Sequence, residues 1–162
     1  MRILFVCTGN TCRSPMAADI ARRAAAERGL TDIQVASAGT GAFDGAGASD
    51  GALLVSMEHG GDLSDHHSQP LTRELVESAD VILAMGDRHL TRVEALGGEG
   101  KAWLLTDFAS HGGSTHSVAD PFGGELDAYR ATYDELEREI GRALDRLLSR
   151  RAGPGNRGGD QR

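Results

Sequence analysis

The sequence predicts an α/β protein, a four-stranded parallel sheet flanked by helices on both faces in a three-layer, Rossmann-type arrangement. Three observations point there. Short apolar runs alternate with longer helical patterns, glycine clusters separate them, and 162 residues suit a single core. The first strand is the unbroken apolar run in Arg2-Ile3-Leu4-Phe5-Val6, the composition of a strand covered on both sides. A helical stretch over 14–28 follows and ends at Gly29. Ile33-Gln34-Val35-Ala36 reads as a second strand, 48–58 as a helix ending at Gly60-Gly61, and 71–78 as a short helix. Val81-Ile82-Leu83-Ala84-Met85 is the third strand, 87–96 the next helix, and Ala102-Trp103-Leu104-Leu105 the fourth strand. Such alternation implies parallel pairing through right-handed crossovers. Ligands of these sheets bind beyond the carboxyl ends of the strands.

The segment 125–150 has the clearest period. Leu126, Tyr129, Tyr133, Leu136, Ile140, Leu144 and Leu147 recur at steps of three and four, one apolar stripe that packs a helix on the sheet. Residues 1–150 therefore form one domain. The stretch 151–162 holds a single aliphatic residue, Ala152, too little burial to offset ordering entropy, so a disordered tail is expected.

Composition narrows the function. Seventeen Lys and Arg against 24 Asp and Glu give a net charge of −7, which argues against nucleic acid as the main partner. No apolar run approaches the roughly 20 residues of a membrane span. No basic stretch followed by an apolar one opens the chain, so a cytoplasmic location is expected, and a monomer. The two cysteines, Cys7 and Cys12, are too few and too close for a disulfide framework. Six histidines show no His-Glu-x-x-His spacing, so no metal is expected.

The chemistry concentrates after the first strand, in Cys7-Thr8-Gly9-Asn10-Thr11-Cys12-Arg13-Ser14-Pro15. Successive backbone N–H groups in a tight strand-to-helix loop converge on an anion, and the helix N-terminus adds positive potential. Thr8, Gly9, Asn10, Thr11, Cys12, Arg13 and Ser14 would line this phosphate cradle. Gly9 permits a tight turn, and Arg13 presents a planar fork to two phosphate oxygens. A thiol at the centre of such donors is expected as a thiolate at neutral pH, poised to attack phosphorus. Ser14 is positioned to donate a hydrogen bond to Cys7, and Asn10 to brace an unusual loop conformation. The absence of Gly-Lys-Ser/Thr excludes a Walker A loop.

Phosphoryl transfer to sulfur needs an acid for a basic leaving group. Asp120, in Val118-Ala119-Asp120-Pro121-Phe122-Gly123-Gly124, lies on a loop before the last helix from which it could reach the cradle. An Asp-Pro turn without chemistry is the alternative.

Taken together, Val6 through Ala17 and Asp120-Pro121 resemble the low-molecular-weight protein-tyrosine-phosphatase family, over about residues 1–148. The resemblance implies the phosphotyrosine phosphatase I-like fold and a phosphocysteine intermediate at Cys7, with phosphate held by Arg13. It also implies that Asp120 acts as acid and then as base, and that no cofactor takes part. Ser37 and His66 resemble the family's loop-bracing serine and histidine. Thr11 and Phe122-Gly123-Gly124 are similar to the bacterial protein-arginine-phosphatase branch, where tyrosine-specific members commonly carry Ile or Leu and two aromatics. A threonine hydroxyl can bond a guanidinium N–H that a buried methyl would leave unpaired. Phosphoarginine in proteins is thus the expected substrate, with Thr11 and Phe122 setting specificity, and phosphotyrosine is the alternative. An arsenate reductase would need further cysteines, and none follows Cys12. A non-catalytic phosphate-binding module would need no thiol in the cradle. The resemblance also favours Cys12 as the thiol that captures oxidised Cys7 in a reversible disulfide.

Overall fold

The computed structural model describes residues 1–160, with side chains described through Arg151. Strand β1 (Arg2–Cys7) leads into α1 (Arg13–Glu27), then β2 (Gln34–Gly39), α2 (Asp50–Glu58), α3 (Arg73–Ser78) and β3 (Val81–Ala84). Helix α4 (Asp87–Val93), a π-helical turn (Glu94–Gly98), β4 (Ala102–Leu104), α5 (Leu105–Ser110) and α6 (Leu126–Asp160) complete the chain. The four strands pair in parallel in the order β2-β1-β3-β4. From β1 the chain builds first to one side and then to the other, so the order reverses there. A crevice opens at that switch point, beyond the carboxyl end of β1.

Successive side chains of β1 serve two cores. Ile3, Phe5 and Cys7 face one apolar cluster with residues of α1, α2, α5 and α6. Leu4 and Val6 face the other, with Val76, Ala79 and Val93. This is the period-two alternation of a strand buried on both faces. Tyr133, Leu136, Ile140, Leu144 and Leu147 of α6 are buried in the first cluster, each stabilising by about 1.5–3 kcal/mol through area removed from water.

Three expectations need correction. Strand β2 runs through Gly39 rather than ending at residue 36, because Ser37, Ala38 and Gly39 continue the ladder opposite Phe5, Val6 and Cys7. Helix α5 was not expected. Its six residues abut β4 without a turn residue, too short to show a period, yet Leu105, Phe108 and Ala109 are buried. Arg151, the first residue of the expected tail, is helical and pairs both guanidinium nitrogens with Asp32, at 3.1 and 2.5 Å, a long-range partner that periodicity cannot reveal. Of the rest of that tail, residues 161–162 lie outside the described residues and the side chains of 152–160 are not described.

Candidate active site

The cradle forms because the residues between β1 and α1 are held from below and from both sides. Asn10 takes a left-handed backbone conformation, φ 56°, one that asparagine tolerates better than most residues. It is fully buried. Its Nδ2 donates to Ser14 Oγ (2.8 Å) and Ser37 Oγ (2.9 Å), and its Oδ1 accepts from the Gln69 amide (3.0 Å). His66 Nε2 lies 2.7 Å from the Asn10 carbonyl and donates to it. Burial, opposed by that bond, holds the His66 pKa below its ordinary value. On the β2 side, the amides of Thr40 and Gly41 donate to the carbonyls of Cys7 and Thr8, both at 2.9 Å. Gly39 is required here, since a Cβ would lie 2.3 Å from the Thr8 carbonyl oxygen.

Cys7 is buried, with Sγ 2.9 Å from Ser14 Oγ. Ser14 already accepts from Asn10, so its own proton is free for the sulfur. Among the described residues no side chain caps α1, and its first turn holds no acidic residue, which leaves the helix N-terminus available to an anion. Cys12 is also a free, buried thiol; it lines the same cavity as Cys7, with its Sγ 3.1 Å from Ser49 Oγ and 3.5 Å from Tyr129 Oη. Burial raises the Tyr129 pKa above its ordinary value, against the bond from Ser49.

Arg13 joins the cradle to the acid loop. Its side chain is 8% exposed. Nη1 donates to the Val118 carbonyl (3.1 Å), and Nη2 lies 3.5 Å from Asp120 Oδ2. Val118 is tied in turn to the end of β3 through its amide and the Met85 carbonyl (2.8 Å), and Thr132 Oγ1 donates to the Ala119 carbonyl (3.3 Å). Asp120 Oδ1 accepts from the Phe122 amide (3.1 Å). The carboxylate itself is 51% exposed at the mouth.

These parts enclose a cavity of about 340 Å³ lined by Cys7, Thr8, Gly9, Thr11, Arg13 and Asp120, with Phe122 and Phe43 at its edge. Of the residues singled out in the sequence, Cys7, Thr8, Gly9, Thr11, Cys12, Arg13, Asp120 and Phe122 meet in this cavity. Asn10, Ser14, Ser37 and His66 form the network behind it. Four contributions are not legible in the sequence. Phe43 stands alone in a glycine-rich loop with no local pattern. Gln69 acts through its backbone amide. His89, one histidine among six, sits 2.8 Å from Thr8 Oγ1. Tyr129, read only as part of the apolar stripe, also reaches Cys12.

The arrangement combines an anion cradle, a thiol at its centre and a carboxyl group at its mouth. Comparison with known proteins shows the family. Low molecular weight phosphotyrosine protein phosphatase is the family matched, over residues 2–152. A protein-arginine-phosphatase of Bacillus subtilis (strain 168) is 42% identical over 152 residues, covering 93% of this chain and 98% of the relative. The low molecular weight protein-tyrosine-phosphatase PtpB of Staphylococcus haemolyticus (strain JCSC1435) is 38% identical over 143 residues, covering 88% and 96%. The solved structure of a YwlE arginine phosphatase mutant with a phosphorylated active-site serine superposes with a TM-score of 0.85 at 40% identity, covering 91% of this chain and 96% of that one. The chain belongs to the low molecular weight phosphotyrosine protein phosphatase family.

Proposed function

We propose that this protein hydrolyses phosphoarginine in proteins through a phosphocysteine intermediate on Cys7. In the first step the Cys7 thiolate, bonded by Ser14, attacks phosphorus in line. The phosphorus–nitrogen bond breaks, and protonated Asp120 gives its proton to the departing guanidine nitrogen. Arg13 and the cradle amides hold the charge spread over the three phosphoryl oxygens. In the second step the Asp120 carboxylate takes a proton from water, the water oxygen bonds phosphorus, and the sulfur–phosphorus bond breaks. Inorganic phosphate leaves and the thiolate returns. No cofactor enters either step.

The observation that carries the substrate assignment is Thr11 in the wall of the same cavity as Cys7 and Asp120. Among the described residues its hydroxyl has only a distant sulfur contact, Cys12 Sγ at 3.8 Å, so it can accept from a guanidinium N–H. The relatives with 42% and 40% identity that are named arginine phosphatases support the same reading. Phosphotyrosine is the second reading, favoured by the two exposed phenylalanines at the mouth, since such walls also suit an aromatic ring. Turnover of phosphoarginine and phosphotyrosine peptides, compared for wild type and Thr11→Ile, separates the two. Wild type is expected to favour phosphoarginine, and the substitution to shift the preference by about tenfold or more toward phosphotyrosine. A wild-type preference for phosphotyrosine, or no shift, overturns it.

Cys12 is the thiol assigned to capture Cys7 after peroxide converts it to the sulfenic acid, forming a disulfide and releasing water. Mass spectrometry after mild peroxide treatment is expected to find that bond, and its absence contradicts the role.

A further inference from the structure

His89 is placed to act on the reaction through Thr8. Thr8 follows Cys7, is exposed and lines the cavity. Its Oγ1 lies 2.8 Å from Nε2 of His89, in the first turn of α4. His89 is 6% exposed, and its Nδ1 is buried with no hydrogen-bond partner among the described residues.

The unpartnered nitrogen selects the tautomer. A proton on Nδ1 would bury an N–H donor without an acceptor, and orphaned buried N–H groups are rare in native proteins. A proton on Nε2 instead goes to Thr8 Oγ1, leaving only a lone pair unsatisfied. The ring is not doubly protonated near neutral pH. Burial first, then the Arg13 guanidinium of α1, with Arg88 of α4 adding and Asp120 of the acid loop opposing, pushes its pKa down to about 4. Once Thr8 Oγ1 has accepted from His89, the hydroxyl must direct its own proton elsewhere. The open direction for an exposed side chain on this wall is the cavity.

We propose that His89 is a positioning residue that donates from Nε2 to Thr8 Oγ1 and thereby turns the Thr8 hydroxyl proton toward the phosphoryl group in the cradle. Thr8 then supplies a side-chain donor beyond the backbone amides and Arg13. The imidazole fixes the acceptor side of that hydroxyl, so in the phosphate complex its own proton is left to donate to the phosphoryl group. This rests on the phosphatase reading of the cavity, so its test reads phosphate binding rather than turnover.

Calorimetric titration of the full chain with inorganic phosphate at pH 7 measures the effect. Loss of a hydrogen bond to a charged group is expected to weaken phosphate binding about tenfold or more in Thr8→Val, while Thr8→Ser keeps most of the affinity. His89→Phe, which removes the donor to Thr8, is expected to lose a similar factor, and to add little in the Thr8→Val background, because both changes remove one interaction. His89→Gln, whose amide can donate, is expected to recover part of the loss. In the wild type, nitrogen-15 NMR of the histidine side chains is expected to show His89 protonated at Nε2 alone between pH 5 and 8, a readout independent of any variant's folding. Wild-type phosphate affinity in Thr8→Val, fully additive losses in the double variant, or a proton on Nδ1 each overturns the proposal. Failure of the phosphatase reading is separately visible. A protein that binds phosphate with this dependence on Thr8, yet turns over no phosphorylated peptide, contradicts the function and not the relay.

Discussion

At the floor of the cavity Asn10 and Ser14 are wholly buried and hydrogen-bonded to one another, to Ser37 and to Cys7. At its rim Phe43 and Phe122 are 84% and 70% exposed, and the Asp120 carboxylate is half in solvent. Under the proposed function the floor would handle the phosphoryl group, which is the same whatever carries it, and so would need one rigid geometry with its polar atoms paired. The rim meets the part of the substrate that differs, and must admit a protein-borne side chain before closing contacts around it. Rigidity below and exposure above divide the work. Chemistry should depend on the floor and on Asp120, and choice of substrate on Thr11, Phe43 and Phe122.

Substitutions can break that division, beginning with the largest effect. Cys7→Ser is expected to lower steady-state turnover of a phosphoarginine peptide by about 10⁴-fold or more, since a serine hydroxyl is a far weaker nucleophile than a thiolate at the same position. Asp120→Asn keeps the shape of the mouth but removes the proton donor, and kcat should fall by roughly 10²–10⁴-fold with a far smaller change in KM. An equal loss after changing a rim aromatic would erase the distinction.

The floor should also be the part on which folding depends. Asn10→Ala deletes bonds to Ser14, Ser37 and Gln69 and places a Cβ-bearing residue without a polar side chain at positive φ. Urea unfolding should show a loss of about 3 kcal/mol or more. Behind the floor, His89 predicts a pH dependence. Its pKa is about 4 in the folded chain against an ordinary 6.5. Between those values the unfolded state binds more protons, so stability falls as the pH drops from about 6.5 toward 4. Urea midpoints at pH 7 and pH 4.5 should show the wild type losing about 2–3 kcal/mol more than His89→Gln. At the rim, Phe43→Ala should leave stability within about 0.5 kcal/mol of the wild type, as for other exposed sites. It should raise KM for a phosphorylated peptide several-fold while sparing kcat.

The same contrast explains how much could be read in the sequence. The floor is nearly all contiguous, Cys7 through Ser14, and its constraints are local: a glycine, a left-handed asparagine, a helix start. These leave a pattern in consecutive letters. The four parallel strands are equally legible because each is a short apolar run between helical patterns. Asp120 sits 107 positions beyond Arg13 in the numbering, yet the two lie 3.5 Å apart, and only the family resemblance raised the Asp-Pro turn above a bare turn. Phe43 leaves no trace because one exposed phenylalanine among glycines has neither period nor motif. His89 and Gln69 act through contacts that exist only once α4 and the loop before α3 pack on the cradle. Six residues of α5 directly after β4 are too few to reveal a helical repeat.

The most direct test of the account is rapid-quench mass spectrometry of the full chain reacting with a phosphoarginine peptide. The prediction is one phosphoryl group on the peptide that contains Cys7, appearing before free phosphate and persisting longer in Asp120→Asn. Steady release of phosphate with the label on another residue, or on none, would contradict it.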